Sequence, residues 1–499
     1  MRPLRYSLIV AGLFVGWLSA GVAAANADPP SARDVVDSQI KNALAILRDA
    51  KLTQAQKREK IGEIADQHTD FETLSRLTLG RYWRDLSADQ RAAFVEEFKK
   101  HLSNTYGNLL DGYTGEDVKV TGDRREPNGD WTVQTRIIGT INGTRQELAK
   151  VDCRLRRNAE WKVIDVIVEG VSLVAIFRAQ FQEIMANGGF DRLLRLLREK
   201  VGEKGGNGSE TNQKESRQSW GGDPVQAKTD NQRSMNLGPR MGIVWRIAVL
   251  CAGWALIMLS GCAGGRGNID PWEKTNRFFY NFDDGLDRVL LKPVSDFYVK
   301  VVPEPVRTGL GNGFNNLGYG NVILNDLLQA KWKQGLSDTG RMAVNSTIGI
   351  AGIFDVASRR GLLSHQNDFG ITLGKWGAKP GPYLVLPLLG PSTVRDAPGL
   401  LVASATNPVT WVNPPLYVTA PLGTVQAIDG RSRVEAALRF RNAAAIDPYV
   451  FTRNAYLQYR DNLIHEGKKA VDQSLYEEEP ESARSSAPAA TRAECRRGP

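Results

Sequence analysis

Near the middle of this 499-residue chain, residues 247–259 read IAVLCAGWALIML, an apolar run that ends in Leu259-Ser260-Gly261-Cys262. Just before it, residues 202–240, GEKGGNGSETNQKESRQSWGGDPVQAKTDNQRSMNLGPR, are rich in Gly, Ser, Asn, Gln and charge. A stretch with so little to bury cannot recover its ordering entropy and reads as a flexible linker. The chain is thereby cut into at least two units, as its length also requires, because single cores stop growing at roughly 250–300 residues. Hydrophobic residues make up 42% and charged residues 24%, proportions of folded protein rather than of a disordered or many-span chain.

The true N-terminus has an apolar run of its own. Arg2 and Arg5 precede residues 8–20, and Ala25-Asn26-Ala27 stands before Asp28. This order of charge, apolar core and small residues marks residues 1–27 as a secretory signal peptide, too short in its core for a comfortable membrane span. The internal segment, residues 241–261 followed by Cys262, resembles a bacterial lipoprotein signal, in which the chain is cut before the cysteine and the cysteine carries the lipids. Ala263 follows, where an acidic residue would suggest retention at the inner membrane, so the resemblance implies an outer-membrane lipid anchor on Cys262. The two signals conflict in topology. After export by the first, the second could stop transfer, yet Arg240 and Arg246 favour the cytoplasmic side in front of it. Either the chain is a fusion that is processed later, or it joins two reading frames that act as neighbours.

The formal net charge of +9 raises the question of nucleic acid or anionic membrane. The basic residues are spread along the chain without a dense stripe and interleaved aromatics, which speaks against nucleic acid and suits an anionic lipid surface better. Cys153, Cys251, Cys262 and Cys495 make no CxxC spacing, and His68, His101, His365 and His465 lie in unrelated segments, so neither a disulfide framework nor a metal site is expected.

Residues 33–110 are helical in pattern. In SADQRAAFVEEFKKHLSNTY, Ser87 is placed as an N-cap, and Phe94, Phe98 and Leu102 share one face. The period then shortens: WTVQTRIIGTI, QELAKVDCRL and WKVIDVIVEG are strand-like, divided by Asn142-Gly143, a hairpin signal, and by Asn158. Helical spacing returns through FRAQFQEIM and FDRLLRLLREK. Helices, an antiparallel sheet and closing helices make an α+β domain over residues 28–201. Trp83, Gln90-Arg91, Tyr106, Trp161, Asp165, Glu169-Gly170 and residues 178–181 fall in an order that resembles the MlaC family, also called the toluene-tolerance family, over about residues 33–200. The resemblance implies an NTF2-like curved sheet backed by helices around an apolar pocket for phospholipid. Val133, Ile137, Val151 and Ile164 would back that pocket, and Phe71, Leu74, Phe94 and Phe98 would close it. From the residues alone a dry core reads the same way, and only the resemblance favours the cavity.

The second half has short apolar stretches broken by Pro293, Pro303 and Pro305, with no near-continuous run of about twenty apolar residues. DPWEKTNRFFYNFDDGLD, VPEPVRTGLGNGFNNL, FGITLGKWGAKPGPYLVLPLLGPSTVRD and IDPYVFTRNAYLQYR resemble the MlaA (VacJ) family over about residues 262–470. That resemblance implies an all-helical ring in the inner leaflet of the outer membrane, lipid-anchored, porin-associated and enclosing a phospholipid channel. Interfacial helices that bury one face among acyl chains account for apolar segments too short to span. Asn281 and Phe282, with the turns Gly381-Pro382-Tyr383 and Gly390-Pro391-Ser392, are carried over as decisive positions or are ordinary turn and core residues.

Other chemistry falls away. Gly309, Gly311 and Gly313 have no preceding strand, Ser172 and Ser392 lack a GxSxG elbow, and Asp447 before Pro448 reads as a helix cap or turn. There is no P-loop, so any energy source lies elsewhere. Residues 471–499 show no packing pattern and are expected to be disordered. The expectation is a non-enzymatic phospholipid transporter without a cofactor. It is exported to the periplasm and outer membrane, and its partners are phospholipid, a trimeric porin and an inner-membrane Mla-type ABC transporter. A purely structural envelope lipoprotein and an acyl hydrolase are the rival readings.

Overall fold

A computed structural model describes residues 30–107, 113, 115–141, 144–202, 269–412, 415–467 and 471–477. The two export-type signals, most of the linker and Cys262 lie outside the described residues.

The first half begins with α1 (Ala32–Arg48), started by a capping box in which Ser31 and Asp34 satisfy each other's backbone amides. Then come α2 (Gln54–His68), α3 (Phe71–Leu79) and α4 (Ala88–Gly107). Ser87 caps α4 as its sequence implies: Gln90 N donates to Ser87 Oγ at 3.2 Å, and Ser87 N donates to Gln90 Oε1 at 2.9 Å. Five antiparallel strands follow in sequential order: β1 (Asp117–Arg125), β2 (Trp131–Ile141), β3 (Thr144–Arg157), β4 (Trp161–Val168) and β5 (Val171–Ser172). Ile141 pairs with Thr144 on either side of residues 142–143. Irregularities at Val120/Gly122, Ile137/Ile138 and Arg154/Leu155 interrupt three successive ladders, and bulges of this kind bend strands. Helix α5 (Leu173–Gly202) closes the unit with a break at Gly189.

Side-chain alternation gives the sheet two unlike faces. On β2 and β3 the pairs Val133–Cys153, Thr135–Val151 and Ile137–Ala149 face one way, beneath Val36, Ile40 and Leu44 of α1. The pairs Thr132–Arg154, Gln134–Asp152 and Arg136–Lys150 face the other.

The second half consists of α6 (Glu273–Leu286), a π-helical turn (Asp287–Leu291), α7 (Lys292–Val301), α8 (Glu304–Leu317), α9 (Tyr319–Leu328), α10 (Trp332–Thr347), α11 (Val356–Arg359) and α12 (Phe369–Lys375). After a hairpin of β6 (Tyr383–Leu386) and β7 (Gly390–Thr393) come α13 (Pro398–Thr406), α14 (Pro408–Val412), α15 (Leu416–Ala444) and α16 (Pro448–Ile464). The second half is mostly helical, as expected, with this one short hairpin among its described residues. The Gly381 and Gly390 words, read as turns, bracket and enter a short ladder because positive φ at both glycines (66° and 82°) turns the chain into and out of it. Among the described residues no helix is long and apolar enough to cross a membrane.

The halves pack directly on one another. Phe440, Ala444, Ala445 and Phe451 join the aromatic core of α4 and α5. Residues 471–477 return to the first half, where Tyr476 is buried. The expectation that order ends at residue 470 is therefore corrected for these seven positions, because an aromatic ring and two aliphatic side chains, Val471 and Leu475, find a core in the other domain.

Candidate functional site

The eight pocket candidates are all placed, in three apolar groups. Val133, Ile137 and Val151 lie on the sheet face under α1. Phe94 and Phe98 belong to a four-ring stack with Phe177 and Phe181, ring centroids 5.1–5.6 Å apart, against which Phe71 and Leu74 pack. Ile164 meets Leu77, Val174 and Tyr476. Leu74 also packs against this third group, so the second and third are continuous. A cleft of about 1100 Å³ opens on the polar sheet face, lined by Gln134, Arg136 and Asp152 from the first half and by His365, Tyr459 and Asn462 from the second. None of the eight candidates lines it. Burial pushes the Asp152 carboxyl up to about 6, and its Oδ1 has no hydrogen-bond partner. Burial also raises Glu169.

Three kinds of contact fasten the halves. Backbone ends are met by side chains: Gln180 Oε1 accepts from Ile446 N and Asp447 N, both at 3.0 Å, and His101 Nε2 donates to Ala444 O at 2.9 Å. Asp447 in turn accepts from Tyr449 N and Val450 N, which makes it the cap of α16 that Asp-Pro suggested. Ions cross as well. Arg277 reaches Glu183 at 2.6 Å and Asp447 at 2.9 Å, and Arg453 reaches Glu183 at 3.2 Å and Asp270 at 2.9 Å. Close approach is the third. Glu169 and Gly170 form the β4–β5 turn with φ of 50° and 79°, and a Cβ on Gly170 would come within 2.1 Å of Asn462 Cγ. Asn462 Nδ2 donates to Glu169 O at 2.9 Å, so glycine is required for the turn and for the contact alike.

Residues 471–477 settle around a fully buried carboxylate. Tyr476 and Ser172 donate their hydroxyls to Asp165 Oδ2, and Val166 N and Val174 N donate to Oδ1 at 2.8 and 3.1 Å. Burial raises the Asp165 carboxyl, and these hydrogen bonds oppose that rise. The Arg154 guanidinium lies 3.6 Å from the Tyr476 ring centroid. Ser172 Oγ also accepts from Ala175 N, so it closes a helix start and shows none of the nucleophile geometry of a hydrolase.

In the second half the usual burial is inverted. Its surface carries Phe278, Phe297, Val289, Ile348, Leu388, Trp411 and Tyr417, from 66% to 82% exposed, and Phe282 is half exposed. Among the described residues the first half exposes no large apolar side chain. A small apolar cluster of Tyr280, Tyr383, Val385, Tyr449 and Val450 is buried, and along α8, α9 and α10 so are Asn312, Asn316, Asn321, Asn325, Asp326, Asp338, Arg341 and Asn345. They form a polar seam: Asn316 Nδ2 donates to Ser346 Oγ at 2.8 Å, Thr372 Oγ1 to Asn325 Oδ1 at 2.7 Å, and Arg341 Nη2 to both Asp355 oxygens at 2.8 Å. Asn312 Oδ1, Asp326 Oδ2 and Gln329 Oε1 are buried without a hydrogen-bond partner. Burial beside Asp338 pushes Asp326 up to about 6. The GLGNGF glycines fall inside α8, where Gly311 leaves room for the Arg433 guanidinium and makes no phosphate loop. Among the described residues no group of three or more His, Cys, Asp or Glu could hold a metal.

Of the carried-over positions, Asn281 and Phe282 point outward from α6, Pro391 is exposed, and Tyr383 is wholly buried. The residue that organises this corner is Asn276. Its Nδ2 donates to Tyr383 O and Asp270 Oδ1, and its Oδ1 accepts from Val385 N, stitching α6 to β6. Sequence reasoning passed it over because a single Asn inside a helical word carries no period.

Residues 37–199 match the family described as MlaC protein, and residues 268–463 match the MlaA lipoprotein family. The intermembrane phospholipid transport system lipoprotein MlaA of Shigella flexneri is 32% identical over 234 residues, covering 45% of this chain and 90% of the relative. Its counterpart in Escherichia coli K12 gives the same figures, and that of Haemophilus influenzae is 32% identical over 232 residues, covering 44% and 91%. A structure described as the structural basis for maintenance of bacterial outer membrane lipid asymmetry is similar at 28% identity and TM-score 0.36, over 40% of this chain and 100% of the other. A phospholipid-binding protein from Ralstonia solanacearum in complex with a phospholipid is similar at 22% identity and TM-score 0.32, over 36% and 100%. The chain is therefore a fusion of two transport families rather than an enzyme, an MlaC domain at residues 37–199 joined to an MlaA lipoprotein domain at residues 268–463.

Proposed function

We propose that this chain carries phospholipid between the membranes of a Gram-negative envelope and so maintains the lipid asymmetry of the outer membrane. The MlaA domain serves as the outer-membrane lipid channel and the MlaC domain as the periplasmic carrier. The observation that carries this reading is the inverted burial of the second half. An apolar exterior without a spanning helix suits a body seated among acyl chains, and a polar interior suits the passage of a headgroup. A carrier is needed because each methylene exposed to water costs about 0.8 kcal/mol, so a two-chain lipid scarcely leaves a bilayer unaided. The MlaA relatives are named for intermembrane phospholipid transport, and the Ralstonia protein holds a phospholipid.

On this reading residues 1–27 are the export signal, 202–240 the linker, 241–261 the lipoprotein signal and Cys262 the lipidated residue of a domain running to 470. A trimeric porin and an inner-membrane Mla-type ABC transporter are the partners, and Phe71, Leu74, Phe94, Phe98, Val133, Ile137, Val151 and Ile164 line the acyl path. Their close packing requires these apolar groups to separate when lipid enters. The test is organic extraction of the full chain purified from a Gram-negative envelope, followed by mass spectrometry. Diacyl phospholipid bound in near-stoichiometric amount supports carriage. A folded chain with no extractable lipid would favour a structural envelope lipoprotein instead.

A further inference from the structure

Tyr476 is the last large side chain among the described residues, and it sits in the carrier domain rather than in its own. Its ring rests on Leu77, Ile164 and Val174, an apolar floor that continues through Leu74 to the four-ring stack. Around the ring, guanidinium groups donate to oxygens of the same short segment: Arg156 Nη2 to Tyr476 O at 2.9 Å, Arg154 Nη2 to Gln473 Oε1 at 2.7 Å, and Arg178 Nη1 to Leu475 O at 3.3 Å. Asp130, paired with Arg154 at 3.0 Å and Arg156 at 2.7 Å, holds two of these guanidiniums in place. An apolar floor below a ring of donors aimed at uncharged oxygens has the layout that the ester and phosphate oxygens of a glycerophospholipid require, with acyl methylenes beneath them.

We propose that residues 471–477 are an internal plug that occupies the mouth of the carrier domain's lipid site, so that the plug and a glycerophospholipid exclude each other. This rests on the carrier reading above. The carbonyls of Leu475 and Tyr476 hold the places of lipid oxygens, and the Tyr476 ring holds the place of the first acyl segment. The plug belongs to the membrane-seated half, so the carrier domain is kept shut while it is docked on that half and opens when residues 471–477 withdraw. Two of the pocket candidates, Leu74 and Ile164, line this mouth, which ties the plug to the acyl path, while Val471, Asp472 and Leu475 of the same segment edge the polar cleft.

The experiment compares the full chain, the full chain carrying Tyr476→Ser, and a chain stopped after Gly467, each purified from a Gram-negative envelope and checked for fold by circular dichroism. Phospholipid per chain is counted by mass spectrometry of the organic extract. A plug that leaves the site open in only a tenth of molecules weakens apparent affinity by roughly tenfold, so both altered chains should retain several-fold more lipid than the full chain. A synthetic VDQSLYE peptide should release that lipid from the shortened chain into acceptor vesicles of phosphatidylethanolamine and phosphatidylglycerol. Equal lipid on all three chains overturns the plug and leaves the carrier reading standing. Folded chains that carry no lipid at all overturn both. Should the shortened chain fail to fold, Tyr476→Ser decides the matter alone.

Discussion

Glu183 stands where the two halves share charge, and replacing it by Ala offers a direct measure of how firmly they are joined. Its carboxylate takes Arg277 at 2.6 Å and Arg453 at 3.2 Å, with 32% and 14% of those side chains exposed. At such depth a pair near 4 Å is worth about 1 to 4 kcal/mol in Coulomb energy, depending on whether water or protein sets the local dielectric. Desolvation of Glu183 and the partners that remain to each arginine, Asp447 and Glu273 for Arg277 and Asp270 for Arg453, offset much of this. The net loss should be about 1 to 2 kcal/mol, or roughly five- to thirtyfold in association. To read it, a protease site is inserted within residues 203–240, the chain is cut, and fragment association is followed by calorimetry at low and physiological salt. Wild-type fragments should stay together, E183A fragments should bind more weakly by that factor, and the gap should narrow as salt screens the charges. Fragments that fall apart in the wild type, or that bind with equal strength in both, would refute the view that ions and core together fasten the halves.

Three further outcomes are expected. Phe98→Ala removes the ring that contacts Phe94, Phe177 and Phe181 and should cost about 3–5 kcal/mol in urea unfolding, with loss of carried lipid; a cost below 1 kcal/mol would mean that this stack is loosely packed. Asp152 titrates near 6 in the folded chain against an ordinary 3.8, so the stability it supplies is whole below about 3.8 and is lost as pH rises through 6. Because its side chain is 28% exposed, Asp152→Asn should gain about 1–2 kcal/mol at pH 7 and nothing at pH 4; a gain independent of pH would refute the assignment. Cys262→Ser should leave the second half unacylated in metabolic labelling with palmitate and shift it toward the soluble fraction, whereas unchanged labelling would place the anchor elsewhere.

The first half was legible in the sequence because a water-soluble core writes itself in period. Phe94, Phe98 and Leu102 recur every four residues and are buried, and Val133, Ile137 and Val151 alternate and are buried. Strand β1 was not among the expected runs, since DVKVTGDRR buries only Val118 fully and otherwise reads as polar surface. In the second half the same logic runs backwards: apolar residues such as Phe278 and Phe297 are outside, and asparagines such as Asn316 and Asn325 are inside. Periodicity there identifies helices but assigns the wrong face to the core, and only family words were informative. Contacts between halves were invisible for a different reason. Gly170 against Asn462, or Tyr476 against Asp165, depends on neighbours about 300 residues away, and one aromatic in a charge-rich tail leaves no pattern.

The burial of Tyr476 also sets an order of events during biogenesis. The Asp165 carboxylate of the first domain receives the phenol of a residue made 311 positions later, after the matched segments of both families are complete. A chain that stalls earlier presents a first domain whose buried acid lacks one hydrogen-bond donor and whose apolar floor of Leu77, Ile164 and Val174 is open. Folding of the first domain is therefore completed only after the second has been made. A chain cut short before Tyr476 is thus marked in its first domain, by the exposure of a site that proteases and chaperones read as unfolded.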